Sequence, residues 1–330
     1  MTPSTRRFCV AFGMLAATLF GAFACADANA EQGADRPSAY AIVVTTGMLG
    51  DIAAAVAADR ASVTVLMGPG TDPHLYRPTR SDVQRLMRAD VILYHGHMLE
   101  GRMTDALTRA QRAGRRVLAV SEQLDEALLL EGDDDDEPFD PHLWMDPRLW
   151  SKAIAIVRDE LSAHDPEGAA IYAANAEAYA AELARLDAYA ERVLATVPEG
   201  SRVLITAHDA FAYFGRRYGF EVLGIQGIST ESEAGVRDIE RLVSLLVEQR
   251  IGAVFTESTV SDRAVGALIA GARARGHEVR LGGELFSDAM GNAGTYEGTY
   301  IGMIDHNVTT IARALGGNAP ERGMQNKLKK

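Results

Sequence analysis

From residue 40 onward the chain alternates between short apolar runs rich in β-branched residues and longer segments whose apolar positions recur at helical spacing. "AIVVTT" (41–46) is followed by "MLGDIAAAVAA", and "ASVTVLM" (61–67) leads past a loop to "RSDVQRLMRA". "VILYHG" (91–96) precedes "EGRMTDALTRAQRA", and "RVLAVS" (116–121) runs through a long loop into "PRLWSKAIAIVRDELSAH". Buried strands alternating with amphipathic helices predict a parallel sheet with helices on its faces. The alternation restarts at 202, where "RVLITAH", "EVLGIQG" (221–227), "GAVFTES" (252–258) and "EVRLGG" (278–283) are each followed by a helical pattern. The expected fold is α/β, with four strand–helix units in each of two lobes, 40–164 and 199–330.

Between the lobes lies "DPEGAAIYAANAEAYAAELARLDAYAERVLATVPEG", with no Gly or Pro from Ala169 to Val197. Asp165 is placed to cap it, Pro166 to begin it, and Pro198 and Gly200 to end it. Tyr172, Tyr179, Leu186 and Val193 fall seven apart, and Ala176, Leu183, Ala190 and Val197 run four behind them. Both rows share one stripe, so a single helix over 165–198, roughly 50 Å long, is expected to brace the two lobes. A coiled-coil dimer uses the same stripe, but the short flanking loops favour the brace within one chain, and hence a monomer.

The first 30 residues break the pattern. Arg6 and Arg7 precede the apolar stretch "FCVAFGMLAATLFGAFACA" (8–26), and Ala28-Asn29-Ala30 follows. That is the layout of a secretory signal peptide. Its length also approaches that of a membrane anchor, but the small-residue end favours export and removal, which places the mature chain in the periplasm or another extracytoplasmic space. Both cysteines, Cys9 and Cys25, lie in this leader, so the mature chain has neither disulfide nor thiolate ligand. A lipid anchor at Cys25 is the lesser reading, because "AFA" before it has a bulky Phe and no Leu. The formal charge is −12 over 330 residues and becomes −13 once the leader's net +1 is removed. With no basic stripe, nucleic acid is not an expected partner. The acidic run "EGDDDDEPFD" (131–140) reads as a solvated loop.

Candidate chemistry gathers at the carboxyl ends of the expected strands, where open α/β sheets bind ligands. His74 in "TDPHLY" and His142 in "FDPHLW" share an Asp-Pro-His turn, and His208 follows "RVLITA" directly. Asp288 takes the matching place after the strand at 278–283. Three imidazoles and one carboxylate make a four-coordinate set for a borderline divalent ion. Proline stiffens the turn and the Asp can accept a backbone N–H two residues on. Asp72, Asp140 or Asp146 could instead hold a ring N–H. Asp-Pro is also a common turn, so spacing alone leaves turn and ligand side by side. His95 and His97 in "YHGHMLE" follow a strand near the cleft. His164 and His277 sit at helix ends, and His306 lies within the last helix. Glu257 in "FTES" ends a strand, as a supporting acceptor or, in a hydrolase, a general base. HExxH, GxSxG and P-loop motifs are missing from the sequence.

Taken in order, "MGPGTDPHLYRPT", "FDPHLWMDPRLW", "TAHDAFAYFGRRYGFEVLGIQGIS", "FTES" and "GGELFSDAMGNAGTYEGTYIGM" resemble the metal-binding solute receptors of ABC importers, the TroA-like zinc/manganese-binding periplasmic proteins and lipoproteins. The resemblance spans nearly the whole mature chain. It implies two (β/α)4 lobes joined by one long rigid helix, an ion between them, and ligand roles for His74, His142, His208 and Asp288. It also implies delivery to a membrane permease and no catalysis. Manganese-leaning members tend to have Glu where this chain has His208, and zinc-specific members often carry a long His-rich loop where this chain has its acidic run. "YHGHMLE" departs from the family's usual "NGLxLE". Three nitrogen donors favour zinc first, with manganese and ferrous iron also admitted. Two other readings stay open at this point: a metal-dependent hydrolase using Glu257 as base, and a metal-stabilised surface adhesin.

Overall fold

The computed structural model of the chain describes residues 39–132 and 138–329. The leader, both cysteines and the acidic residues 133–137 lie outside the described residues, so the expectations placed on them concern sequence alone.

Strands β1 (Tyr40–Val44), β2 (Ala61–Val65), β3 (Val91–Tyr94) and β4 (Arg116–Ala119) form a parallel sheet in the order β2-β1-β3-β4. The apolar runs of the central strands β1 and β3 are continuous because both of their faces are covered, while the edge strand β2 is largely exposed. Ile42, Val44, Val91 and Leu93 belong to the core that includes α1 (Gly47–Ala57), α4 (Pro147–His164) and α5 (Ala169–Leu194). Val43 and Ile92, one residue out of phase, pack with Leu86 of α2 (Arg80–Arg88) and with Ala106, Leu107 and Ala110 of α3 (Thr104–Arg112). The chain leaves β1 for β2 on one side and crosses back to β3 on the other. The carboxyl ends of β1 and β3 therefore flank a switch point, the usual place for a ligand crevice.

In the second half, β5 (Val203–Thr206) pairs with β6 (Glu221–Gly224) and β7 (Ala253–Glu257) with β8 (Arg280–Leu285), all parallel, and β5 lies beside β7. Helices α6 (Ala212–Tyr218), α7 (Val236–Glu248), α8 (Arg263–Ala274) and α9 (Tyr300–Ala314) follow these strands in turn. The register of β7 on β8 skips a residue, pairing Val254 with Leu281 but Phe255 with Gly283, which has φ +144°. That bulge lets β8 continue to Leu285, so the strand runs later than the 278–283 read from sequence and ends three residues before Asp288.

The two lobes are linked by α5, which has 26 residues and is therefore roughly 39 Å long, shorter than expected. Its start is displaced because Asp165 is not a cap. The Asp165 carboxylate instead takes Arg60 Nε at 2.7 Å and Nη2 at 2.9 Å, together with the Tyr172 hydroxyl, and Pro166–Gly168 form a 3-10 turn. All eight residues of the expected stripe are buried. The helix packs against α1 and α4 from one lobe and α9 from the other, so the stripe is used inside the chain. Leu183 and Leu186 are fully buried on it, each contributing about 1.5–3 kcal/mol of transfer free energy. Among the described residues no helix is long and apolar enough to cross a membrane.

Candidate metal centre

The twin Asp-Pro-His stretches fold into the same turn. His74 N–H donates to Asp72 Oδ1 and His142 N–H to Asp140 Oδ1, both at 2.9 Å. His74 lies in the connection after β2, and His142 in the one after β4, ahead of a 3-10 turn at Leu143–Met145. Asp146 then caps α4 by accepting the N–H groups of Arg148 at 2.9 Å and Leu149 at 3.1 Å. Among the described residues it holds no histidine ring.

Beyond the turn the two histidines differ. His142 Nδ1–H donates to Asp140 Oδ1 at 2.8 Å, which fixes its tautomer and turns Nε2 into the crevice. His208, two residues past β5, is held the same way by another residue. Its N–H donates to Glu257 Oε1 at 2.8 Å and its Nδ1–H to Glu257 Oε2 at 2.5 Å. Glu257 ends the neighbouring strand β7, and with both oxygens spent on His208 it is a supporting acceptor. Asp288 is positioned by the preceding residue, whose carbonyl accepts Trp144 Nε1–H at 2.8 Å from the other lobe.

The four sequence-derived candidates converge. One donor atom from each of His74, His142, His208 and Asp288 lies within 4.8 Å of all the others, and all four residues are buried. The Nε2 atoms of His74 and His142 are 3.3 Å apart. Asp288 Oδ1 is 3.4 Å from His142 Nε2, and its Oδ2 is 3.2 Å from His208 Nε2 and 4.0 Å from His74 Nε2. Ligands at 2.0–2.1 Å on a tetrahedral ion stand about 3.3–3.4 Å apart. Both Asp288 oxygens and His208 Nε2 are buried with no hydrogen-bond partner among the described residues. Buried polar atoms without a hydrogen bond are costly, and these face one another across a single point.

Burial strips His74 of affinity for a proton, lowering its pKa to about 3. Burial opposes charge on His142 as well, but Asp140 and Asp288 outweigh it and lift the pKa to about 9. His208 is likewise raised, against its burial, by Glu257 and Asp288. Asp288 is held well below the usual carboxylate range, against its own burial, by His208 and His142.

The other histidines stand outside this group. His95 Nε2 lies 2.8 Å from Thr46 Oγ1, and its ring stacks on Trp150 at 5.3 Å and meets the edge of Trp144 at 4.7 Å. Trp144 also meets the His142 ring at 5.2 Å, so it separates His95 from the centre. His97 packs edge-on against Phe139, and His164 against Tyr40. His277 and His306 donate to the carbonyls of Ile251 and Glu284. No local pattern in the sequence marks Trp144, Thr230 or Glu100. Glu100 is buried and accepts Thr45 Oγ1–H at 2.6 Å and the N–H groups of His95 and Gly96, anchoring the connection after β3.

The family model described as ZnuA, zinc-uptake complex component A, periplasmic, matches residues 42–314. The chain belongs to this family. Among its relatives, the manganese-binding lipoprotein MntA of Bacillus subtilis is 44% identical over 306 residues, covering 92% of this chain and 99% of MntA. The solved structure of the periplasmic zinc-binding protein TroA of Treponema pallidum superposes with a TM-score of 0.81 at 44% identity, covering 84% of this chain and 99% of TroA. The iron-binding protein YfeA of Yersinia pestis is 29% identical over 289 residues, covering 86% of this chain and 88% of YfeA. The chain is thus a metal-binding solute-binding protein of an ABC importer, with the two-lobed architecture of that class.

Proposed function

We propose that this receptor captures one divalent transition-metal ion, zinc first, between its lobes on His74, His142, His208 and Asp288, and delivers it to a membrane permease. The observation that carries the ligand assignment is the convergence of three Nε2 atoms on a buried carboxylate whose oxygens lack other partners. Capture replaces the Nε2 protons of His142 and His208 with the ion while Asp140 and Glu257 keep the Nδ1–H bonds, so both rings stay oriented throughout. Three nitrogen donors favour Zn²⁺ over Mn²⁺, which prefers more oxygen ligands. Manganese and iron stay in the set because MntA and YfeA are named for them, and metal supply as well as affinity decides what a receptor carries.

The ion is cargo, and no catalytic step is assigned to the site. A site closed by four protein ligands leaves no open position for a reacting water. The lobe limits are taken as 40–164 and 199–330, with 165–198 between them. The helical brace keeps lobe rotation small. The receptor acts as an extracytoplasmic monomer after loss of its leader. A lipid anchor at Cys25 is the second arrangement, supported by the lipoprotein MntA among the relatives.

Elemental analysis of protein purified from its native compartment tests the proposal. Wild type is expected to carry close to one ion per chain, with His74→Ala well below that. Equal, substoichiometric metal in both would refute it.

A further inference from the structure

Two of the three imidazoles in the centre are held by their rings, His142 by Asp140 at 2.8 Å and His208 by Glu257 at 2.5 Å. His74 is held differently. Its Nδ1 makes no hydrogen bond among the described residues, and its fixed point is the backbone N–H donated to Asp72 Oδ1 at 2.9 Å. The other oxygen of Asp72 accepts the hydroxyl of Thr230 at 2.6 Å. Thr230 is buried and belongs to the connection between β6 and α7, in the opposite lobe. The least anchored imidazole therefore rests on a carboxylate that is itself held from across the cleft, whereas at the His142 turn the cross-cleft donor, Tyr213 Oη–H, reaches the Asp140 carbonyl at 2.8 Å and leaves its carboxylate to the histidine. Pro73, between Asp72 and His74, has its φ fixed by its ring, so a shift of the Asp72 carboxylate is passed to His74 with little slack.

We propose that Thr230 is a positioning residue. It holds Asp72, and through Asp72 the His74 turn, in the ion-holding arrangement while the lobes are apposed, and His74 is the first ligand to let go when they part. This rests on the reading of His74 as a ligand. The adjacent Glu231 also reaches across, to Arg102 Nε at 2.7 Å, but that pair is 31% and 51% exposed. A solvated pair of this kind contributes little, whereas a partly buried bond onto a carboxylate contributes more. The two contacts lie side by side on the rim and differ in what they touch, which makes Glu231 the natural control.

The test is stopped-flow release of cobalt(II) from the loaded full chain into excess chelator, with the visible spectrum recorded before mixing. Thr230→Val keeps the shape of the side chain and removes the donor. It is expected to bind one ion with an unchanged tetrahedral cobalt spectrum and to release it about tenfold faster, equivalent to about 1.4 kcal/mol. Thr230→Ser, which restores the hydroxyl, and Glu231→Gln are each expected to stay within about twofold of wild type. Release from Thr230→Val at the wild-type rate would overturn the proposal. So would acceleration by Thr230→Ser or Glu231→Gln equal to that of Thr230→Val, since the effect would then come from packing or from general loosening of the rim. If wild type itself bound no cobalt, or bound it without the tetrahedral spectrum, the ligand assignment beneath the proposal would fail, whatever Thr230 does.

Discussion

Asp288→Ala is expected to abolish stoichiometric metal binding, weakening affinity by roughly a thousandfold or more, above the 10–100-fold typical of losing an outer-shell partner. Asp288 supplies the only negative charge among the four ligand candidates, and its oxygens lie 3.4 Å from His142 Nε2 and 3.2 Å from His208 Nε2. Removing it leaves a dication facing three neutral imidazoles in a buried site. It also leaves His142 and His208 without the carboxylate that lies between them. Glu257→Gln sets the scale. It keeps an acceptor for His208 Nδ1–H but removes the charge, so the loss should fall within about 10–100-fold. Competition against a chromophoric chelator measures both variants. Comparable, small losses for the two would mean that Asp288 does not touch the ion.

Affinity is expected to fall steeply with acid, by as much as about a hundredfold per pH unit around neutrality. The sign follows from which protons the free site holds. His142 is lifted to about 9 and His208 is raised, so both rings hold a second proton to higher pH than a free imidazole does. His74, lowered to about 3, is neutral. On the proposed ligand set, binding expels the Nε2 protons of His142 and His208, while His74 has none to lose. A group protonated when free and deprotonated when bound weakens binding as pH falls, and two such groups give a slope near two in log affinity against pH. Release of close to two protons per ion is expected near pH 7, readable in a weakly buffered titration. Affinity independent of pH between about 5 and 8 would be incompatible with histidine ligation.

Much of this centre was legible in the sequence, for identifiable reasons. The central strands β1 and β3 of the first lobe are buried on both faces, so "AIVVTT" and "VILYHG" stood out as continuous apolar runs. The two rows on α5 were visible because one face packs along its whole length. His74 and His142 announced themselves through a repeated turn, and the structure draws that turn twice with the same Asp-to-backbone bond.

Element ends were harder to read. Thr45, Thr46, Ala207 and His208 lie beyond their strands yet remain buried in the crevice, so apolar character does not mark where pairing stops. Asp165 had the sequence of a helix cap, but Arg60, 105 residues earlier, takes its carboxylate. The contacts that join the lobes were illegible for the same reason. Trp144 reaches Ser287 across 143 residues and Thr230 reaches Asp72 across 158, and neither residue carries a local pattern that foretells its partner. His95 followed a strand as a cleft residue should, yet its place between Trp144 and Trp150 depends on the packing of α4.

The measurement that bears most directly on the whole account is X-ray absorption at the zinc edge on the singly loaded wild-type protein. Ligation by His74, His142, His208 and Asp288 predicts four nitrogen and oxygen scatterers at about 2.0–2.2 Å with the outer-shell signature of three imidazoles. A six-coordinate oxygen shell, or a fit requiring fewer than two imidazoles, would contradict it.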